Sequence, residues 1–128
     1  LDQVSHIEKL NRICEETGKK IGVFIQLSLD GAPDRGGVVE QDLAGLGDAI
    51  AVSSGLELNG VMCVPPVEYE HQLAFAEIAQ IHQRFTSRFP SAKSLSAGMS
   101  SDFEIAIAHG ATHIRVGSQI LGSRTYHP

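Results

Sequence analysis

Ser100, Arg115 and the pair Gly117-Ser118 are the residues of this chain whose types and spacing could do chemistry. Ser100 follows Gly98-Met99 at the end of a short apolar run, Ser94–Ala97. Gly117-Ser118 follows a second such run, Thr112–Val116. Both runs read as strands, and each passes straight into a small glycine-containing turn. A helix is expected to start near Ser100 and a short helical turn near Ser118–Arg124. Backbone N–H groups and a helix start then lie side by side at one end of a sheet, an arrangement that holds an anion, most often phosphate. A second use of Ser100 competes with this one. It is a natural N-cap, and Ser101-x-x-Glu104 has the spacing of a capping box. Capping alone is the commoner role for such a serine; the second turn at the same end is what favours anion binding.

Arg115 interrupts the strand His113-Ile114-Arg115-Val116 at a place where an aliphatic residue is expected. Alternation sets it on the face opposite Ile114 and Val116. If those two pack against helices, Arg115 points into the interior, where a guanidinium needs a partner. An acidic residue on another strand would serve, and so would the ring or carboxylate of a ligand; the residues leave both open. Arg35, Asp30 and Asp34 fall in a glycine-rich loop and read as solvated loop charges. His109 and His113 stand four apart, but one falls in the last turn of an expected helix and the other at a strand start, not on one helix face, and the two cysteines form no CxxC, so no metal site is expected. No nucleophile elbow is present. Lys20 and Lys93 sit only at strand starts, the wrong end of a parallel barrel for catalysis.

The elements that must position these residues follow a regular pattern. Asp2–Thr17 reads as a helix ended by Gly18. Lys20–Leu29 is a β-branched, buried-strand run and Asp30–Gly37 a loop. Val38 to Ser53 is a helix with the stripe Val39, Leu43, Leu46 and Ile50. Leu56–Val64 is a strand closed by Pro65-Pro66, and Glu68–Phe89 a long helix with Leu73, Ala76, Ile78, Ile81 and Phe85 as its apolar stripe and Pro90 as its stop. Ser94–Ala97, Ser101–His109 and Thr112–Val116 complete the series. Regular β-α alternation with aliphatic strands predicts an α/β fold with a parallel sheet covered by helices. Four such units, each about 30 residues long, make half of an eight-stranded (β/α)8 TIM barrel. An open Rossmann-like sheet is the rival, but no G-x-G-x-x-G follows the first strand and no acidic residue ends the second. A half-barrel leaves two unpaired edges and an interior face open to water. The chain is therefore expected to need a complement: an N-terminal half, a second chain, or a second copy of itself.

Composition narrows the function classes. The chain has 128 residues, 42% of them hydrophobic and 5% aromatic, which predicts one unit, residues 1–128, with an aliphatic core. A net charge of −5 argues against sequence-independent nucleic-acid binding, which needs a basic face. No apolar run approaches the ~20 residues of a membrane span. Two isolated cysteines, Cys14 and Cys63, fit buried free thiols in a reducing cytoplasm. The first residue is Leu, which leads us to expect sequence in front of it.

The run Ser96-Ala97-Gly98-Met99-Ser100-Ser101-Asp102-Phe103-Glu104-Ile105-Ala106-Ile107, followed by Gly110, Thr112, Arg115-Val116-Gly117, Ile120, Gly122 and Arg124, resembles the C-terminal signature of the YggS/PROSC family of pyridoxal-phosphate homeostasis proteins. Gly60-Val61-Met62-Cys63-Val64-Pro65 and Phe24-Ile25-Gln26 resemble two upstream strands of that family, and Arg35 falls where many members carry Lys. The resemblance implies a fold type III barrel, like the alanine racemase N-terminal domain, and pyridoxal 5'-phosphate (PLP) as cofactor. It implies that Ser100, with backbone from Met99, Gly117 and Ser118, holds the cofactor phosphate, that Ser96 lies nearby, and that Arg115 approaches the pyridine nitrogen. It places Leu1-Asp2 just after the family's fourth strand, so that the chain corresponds to strands 5–8 and lacks the Schiff-base lysine at the end of strand one. The expected role is PLP binding and homeostasis without a catalytic residue in this chain. The phosphate site would be open to phosphate or sulfate when the lysine half is missing. The alternatives are half of a PLP-dependent racemase-like enzyme, or an inert fragment.

Overall fold

The computed structural model describes residues 1–121. In chain order it contains α1 (Val4–Thr17), β1 (Ile21–Leu27), α2 (Glu40–Ala51), β2 (Leu56–Cys63), α3 (His71–Arg88), β3 (Ser94–Met99), α4 (Phe103–Ala108), β4 (His113–Arg115) and α5 (Ser118–Leu121). The expected helical turn over Ser118–Arg124 is described only to Leu121; the remainder lies outside the described residues. Among the described residues no helix is long and apolar enough to cross a membrane.

The four strands are parallel and lie in the sheet in chain order, β1-β2-β3-β4. A doubly wound sheet reverses direction at a switch point; this one does not. Right-handed crossovers that always step the same way put every connecting helix on one face. The burial pattern follows. Val23, Ile25 and Leu27 of β1, Val61 and Cys63 of β2, and Leu95 and Ala97 of β3 are buried against α2 and α3, which contribute Leu43, Leu46, Ile50, Phe75, Ile78, Ile81 and Phe85. Ile7 and Cys14 of α1 and Ala106 of α4 complete the core.

Among the described residues no helix that connects two of the strands lies on the opposite face. Register aligns Gln26 with Met62, Met62 with Ser96, and Ser96 with His113, so these four side chains form one row across that face. The sheet is curled around them. Phe24 of β1 and His113 of β4 are in edge-to-face contact with centroids 5.4 Å apart. Three flat inter-strand spacings would separate them by about 14 Å. The bare face is therefore concave, as the inner face of a barrel is.

Two close approaches keep β2 and β3 in register. A Cβ on Gly60 would meet the Ser94 backbone carbonyl, so only glycine fits there. At the other end Gly98 has φ of 101°, and a Cβ would sit 2.7 Å from the Ala106 side chain and 3.0 Å from Phe103 Cα. This bends β3 with a register shift between Ser96 and Met99 and seats α4 directly on the turn. β3 thereby extends to Met99, two residues past the expected end. β4 is shorter than expected, and α4 starts at Phe103 rather than Ser101. Gly18 ends α1 in the left-handed region, as expected. On α3 the buried positions are Ala74, Phe75, Ile78, Ile81 and Phe85, whereas Leu73, expected in the stripe, is exposed. Glu70 caps that helix by accepting from the Gln72 and Leu73 N–H groups.

His82 on α3 ties the helix layer to the start of β3: its Nε2 lies 3.1 Å from the Ser94 carbonyl oxygen, to which a neutral ring protonated on Nε2 donates. Burial lowers its pKa below the usual 6.5. The unfolded chain takes up the proton first, so the stability contributed by neutral His82 is present above about pH 6.5 and is lost as the pH falls below it. The urea midpoint of the wild type is expected to drop between about pH 7.5 and 5.5, and His82→Gln to flatten that slope while leaving the loss below about pH 4.5, where carboxylates such as Glu40 protonate. An unchanged slope in His82→Gln would show that His82 is not the responsible group.

Candidate functional site

The carboxyl ends of β2, β3 and β4 surround a cleft of about 140 Å³. Three segments build it. The Val64-Pro65-Pro66-Val67 loop leaves β2 and cannot continue the sheet ladder because proline has no N–H. His71, the first residue of α3, closes one side. Gly98, Met99, Ser101 and Asp102, from the β3–α4 turn, and Arg115 of β4 complete the lining.

Arg115 pairs in register with Met99 and shares the concave face with His113, two residues before it. From β4 its guanidinium passes over β3 to the end of β2, where Nη2 donates to the Cys63 carbonyl at 3.1 Å. Its Nε is buried and makes no hydrogen bond among the described residues. Among the described residues Arg115 takes part in no ion pair; those found are Arg35 with Asp30 and Glu68, Arg84 with Glu40, and Arg88 with Asp48. Arg115 thus enters the cleft with one donor on a backbone carbonyl and another unspent. A buried donor without an acceptor costs about 1–3 kcal/mol.

The β3–α4 turn is more constrained than its sequence suggests. Asp102 is the N-cap of α4, with φ −142° and ψ 10°, but its side chain caps nothing. Its Oδ1 instead accepts the Met99 N–H at 2.7 Å, while the Asp102 N–H donates to the Met99 carbonyl at 3.1 Å. The Met99 N–H, expected as a free donor for an anion, is therefore already engaged. Ser100 lies half-buried in this turn and borders a shallow depression with Ser101 and Glu104 rather than the cleft itself.

Gly117 and Ser118 leave β4 at the same end at which Ser100 leaves β3, because Met99 and Arg115 are register partners. α5 begins at Ser118, and the Gly117 carbonyl accepts from the Ile120 and Leu121 N–H groups at 3.1 and 2.7 Å, closing this turn. Ser96 lies one layer deeper, in the row with Met62 and His113, and does not line the cleft. The structure thus sets Met99 and Arg115 around one cleft, Ser100, Gly117 and Ser118 at its rim end, and Ser96 beneath.

Arg35 turns to its own loop, with Nη2 2.6 Å from Asp30 and 4.0 Å from Glu68. The Ala32 N–H and the Arg35 guanidinium hold the Asp30 carboxyl below the usual carboxylate range. Asp102 and His71 are cleft residues that the sequence alone did not single out. Asp102 stood inside the Ser96–Ile107 motif, but its role depends on turn geometry that spacing does not encode. Among the described residues no group of His, Cys, Asp or Glu could hold a metal ion.

Cys63 is a cleft neighbour but not a nucleophile. Burial is the main cause that pushes its thiol up to about 12, against the opposing pull of Arg115. A protonated thiol is a poor nucleophile. Iodoacetamide at about pH 8 is expected to leave Cys63 unmodified in the folded chain and to alkylate it in urea; rapid native labelling at Cys63, read by peptide mass, would contradict this assignment.

Comparison with known proteins places this geometry among relatives. The family described as alanine racemase, N-terminal domain, matches residues 1–125. The pyridoxal phosphate homeostasis protein of Mycobacterium tuberculosis H37Rv is 43% identical over 111 residues, which are 84% of this chain and 43% of that protein. The protein of the same name from Escherichia coli K12 is 35% identical over 109 residues, 83% of this chain and 47% of that protein. PipY of Synechococcus elongatus PCC7942, solved with PLP bound, superposes with a TM-score of 0.84 at 31% identity, covering 95% of this chain and 58% of that one. The chain spans about half the length of the curated relatives it matches.

Proposed function

This chain belongs to the alanine racemase N-terminal domain family, and on that premise we propose that it binds pyridoxal 5'-phosphate as part of a cofactor carrier and regulator, supplying the phosphate and ring side of the site. The observation that carries the reading is Arg115, which lines a cleft at the carboxyl ends of parallel strands and has a buried Nε without a partner among the described residues. The donor set fits the group. An aromatic ring nitrogen is an acceptor without a proton of its own, and Arg115 offers a donor that keeps its charge at any physiological pH. Ser100 and the Ser118 end of α5 lie where a phosphate would find hydroxyl and backbone donors. When bound, the cofactor supplies an electrophilic aldehyde and an electron-withdrawing ring. An arginine at the ring nitrogen leaves that nitrogen unprotonated and weakens the withdrawal, which suits retention and delivery better than turnover.

The same reading assigns the chain to strands 5–8 of a (β/α)8 barrel. Three features support it: the sequential strand order, the concave face without helices, and the outer edge of β1. On that edge the Leu1 amine donates to the Phe24 carbonyl and the Leu1 carbonyl accepts the Gln26 N–H, each at 2.8 Å, the pattern of a parallel neighbouring strand. A half-barrel of this kind takes an N-terminal half as its complement, with a second copy of the chain as the other possible occupant. Two buried, reduced thiols suit a cytoplasmic setting.

Arg115→Ala in the complemented barrel is expected to change the absorption spectrum of bound cofactor while keeping it bound. Ser100→Ala is expected to lower cofactor retention on desalting at a stability cost of no more than about 1 kcal/mol. An unchanged spectrum in the first and unchanged retention in the second would overturn the assignment.

A further inference from the structure

We propose that Asp102 is a resident anion of the phosphate turn, a carboxylate that a phosphate group has to displace and that weakens the hold on it. The inference rests on the phosphate reading above and deepens it. Asp102 stands at the N-cap of α4, yet its side chain accepts nothing from that helix. It is spent backward, on the Met99 N–H at 2.7 Å, which is a donor in the turn where an anion is expected. It is also the sole carboxylate among the described residues that line the cleft, where it shares the walls with Arg115. The turn is thus kept in shape by an internal negative charge, with the return bond from the Asp102 N–H to the Met99 carbonyl closing the ring. A phosphomonoester dianion entering this turn meets that charge at short range and competes for the same N–H. A carrier that must give up its cofactor gains from such a group, because the turn has a stand-in ready when the phosphate leaves.

The test is an amide-resolved NMR titration of the 128-residue chain and of Asp102→Asn, with inorganic phosphate, PLP and phosphate-free pyridoxal as three separate probes. Asn keeps an acceptor for Met99 and removes only the charge. Asp102→Asn is expected to bind both phosphate probes about five- to tenfold more tightly at low salt, with the gain shrinking toward about 1 M salt as charges are screened. Pyridoxal is expected to show no gain. In the wild type the Asp102 side-chain carboxyl carbon is expected to shift as phosphate saturates the site, which tests displacement without any variant. If no phosphate probe shifts the Ser100, Gly117 or Ser118 amides, the phosphate reading and this inference both fall. If those amides shift but the Asp102 carboxyl does not move, or Asp102→Asn binds no more tightly, only the role of Asp102 is overturned.

Discussion

Four parallel strands lie side by side in the order in which the chain makes them, and this constraint organises the rest of the molecule. With every crossover stepping in one direction and with one hand, α2, α3 and α4 all fall on the same face. Val23, Ile25, Leu27, Val61, Leu95 and Ala97 pack there. The alternate residues, Phe24, Gln26, Met62, Ser96, His113 and Arg115, are left on a face that no helix covers. Right-handed twist and the contact between Phe24 and His113 curl that face inward. Arg115 reaches β2 only because the sheet is curled; its bond to the Cys63 carbonyl spans a whole intervening strand.

Much of this was legible in the chain itself, for physical reasons. Period-2 burial and β-α alternation are properties of single elements, so the strands, the helix layer and the face that carries Arg115 could be read from residue types alone. The turn after β3 could not. Its shape depends on Gly98 at φ 101° and on Ala106 and Phe103 pressing against that glycine, contacts that join residues through packing rather than spacing. Reading Ser100 or Ser101 as the start of the helix followed the usual capping rule, but Asp102 takes the N-cap and turns its carboxylate to Met99. Leu73 misled for a related reason: its spacing fits the apolar stripe of α3, yet the helix is rotated so that Ala74 and Phe75 face the sheet.

The site inherits its character from these two levels. The sheet supplies rigidity and one permanent cation, while the turns supply adaptable backbone donors. Arg115 has an unspent donor, and the Met99 N–H is already engaged. On the reading proposed above, these two ends hold the ring and the phosphate of one ligand, while Cys63, the thiol at hand, is held protonated by burial.

The central claim is that this chain carries one side of a cofactor site whose covalent lysine lies in a complementary half. Its most direct test is borohydride reduction after addition of PLP, to the chain alone and to the chain mixed with the N-terminal half of a full-length relative, followed by peptide mass mapping. The account predicts a stoichiometric reduced adduct only in the mixture and only on a lysine of the added half, with no more than scattered labelling of this chain's own lysines. A specific, stoichiometric adduct on a lysine of this chain in isolation would contradict it.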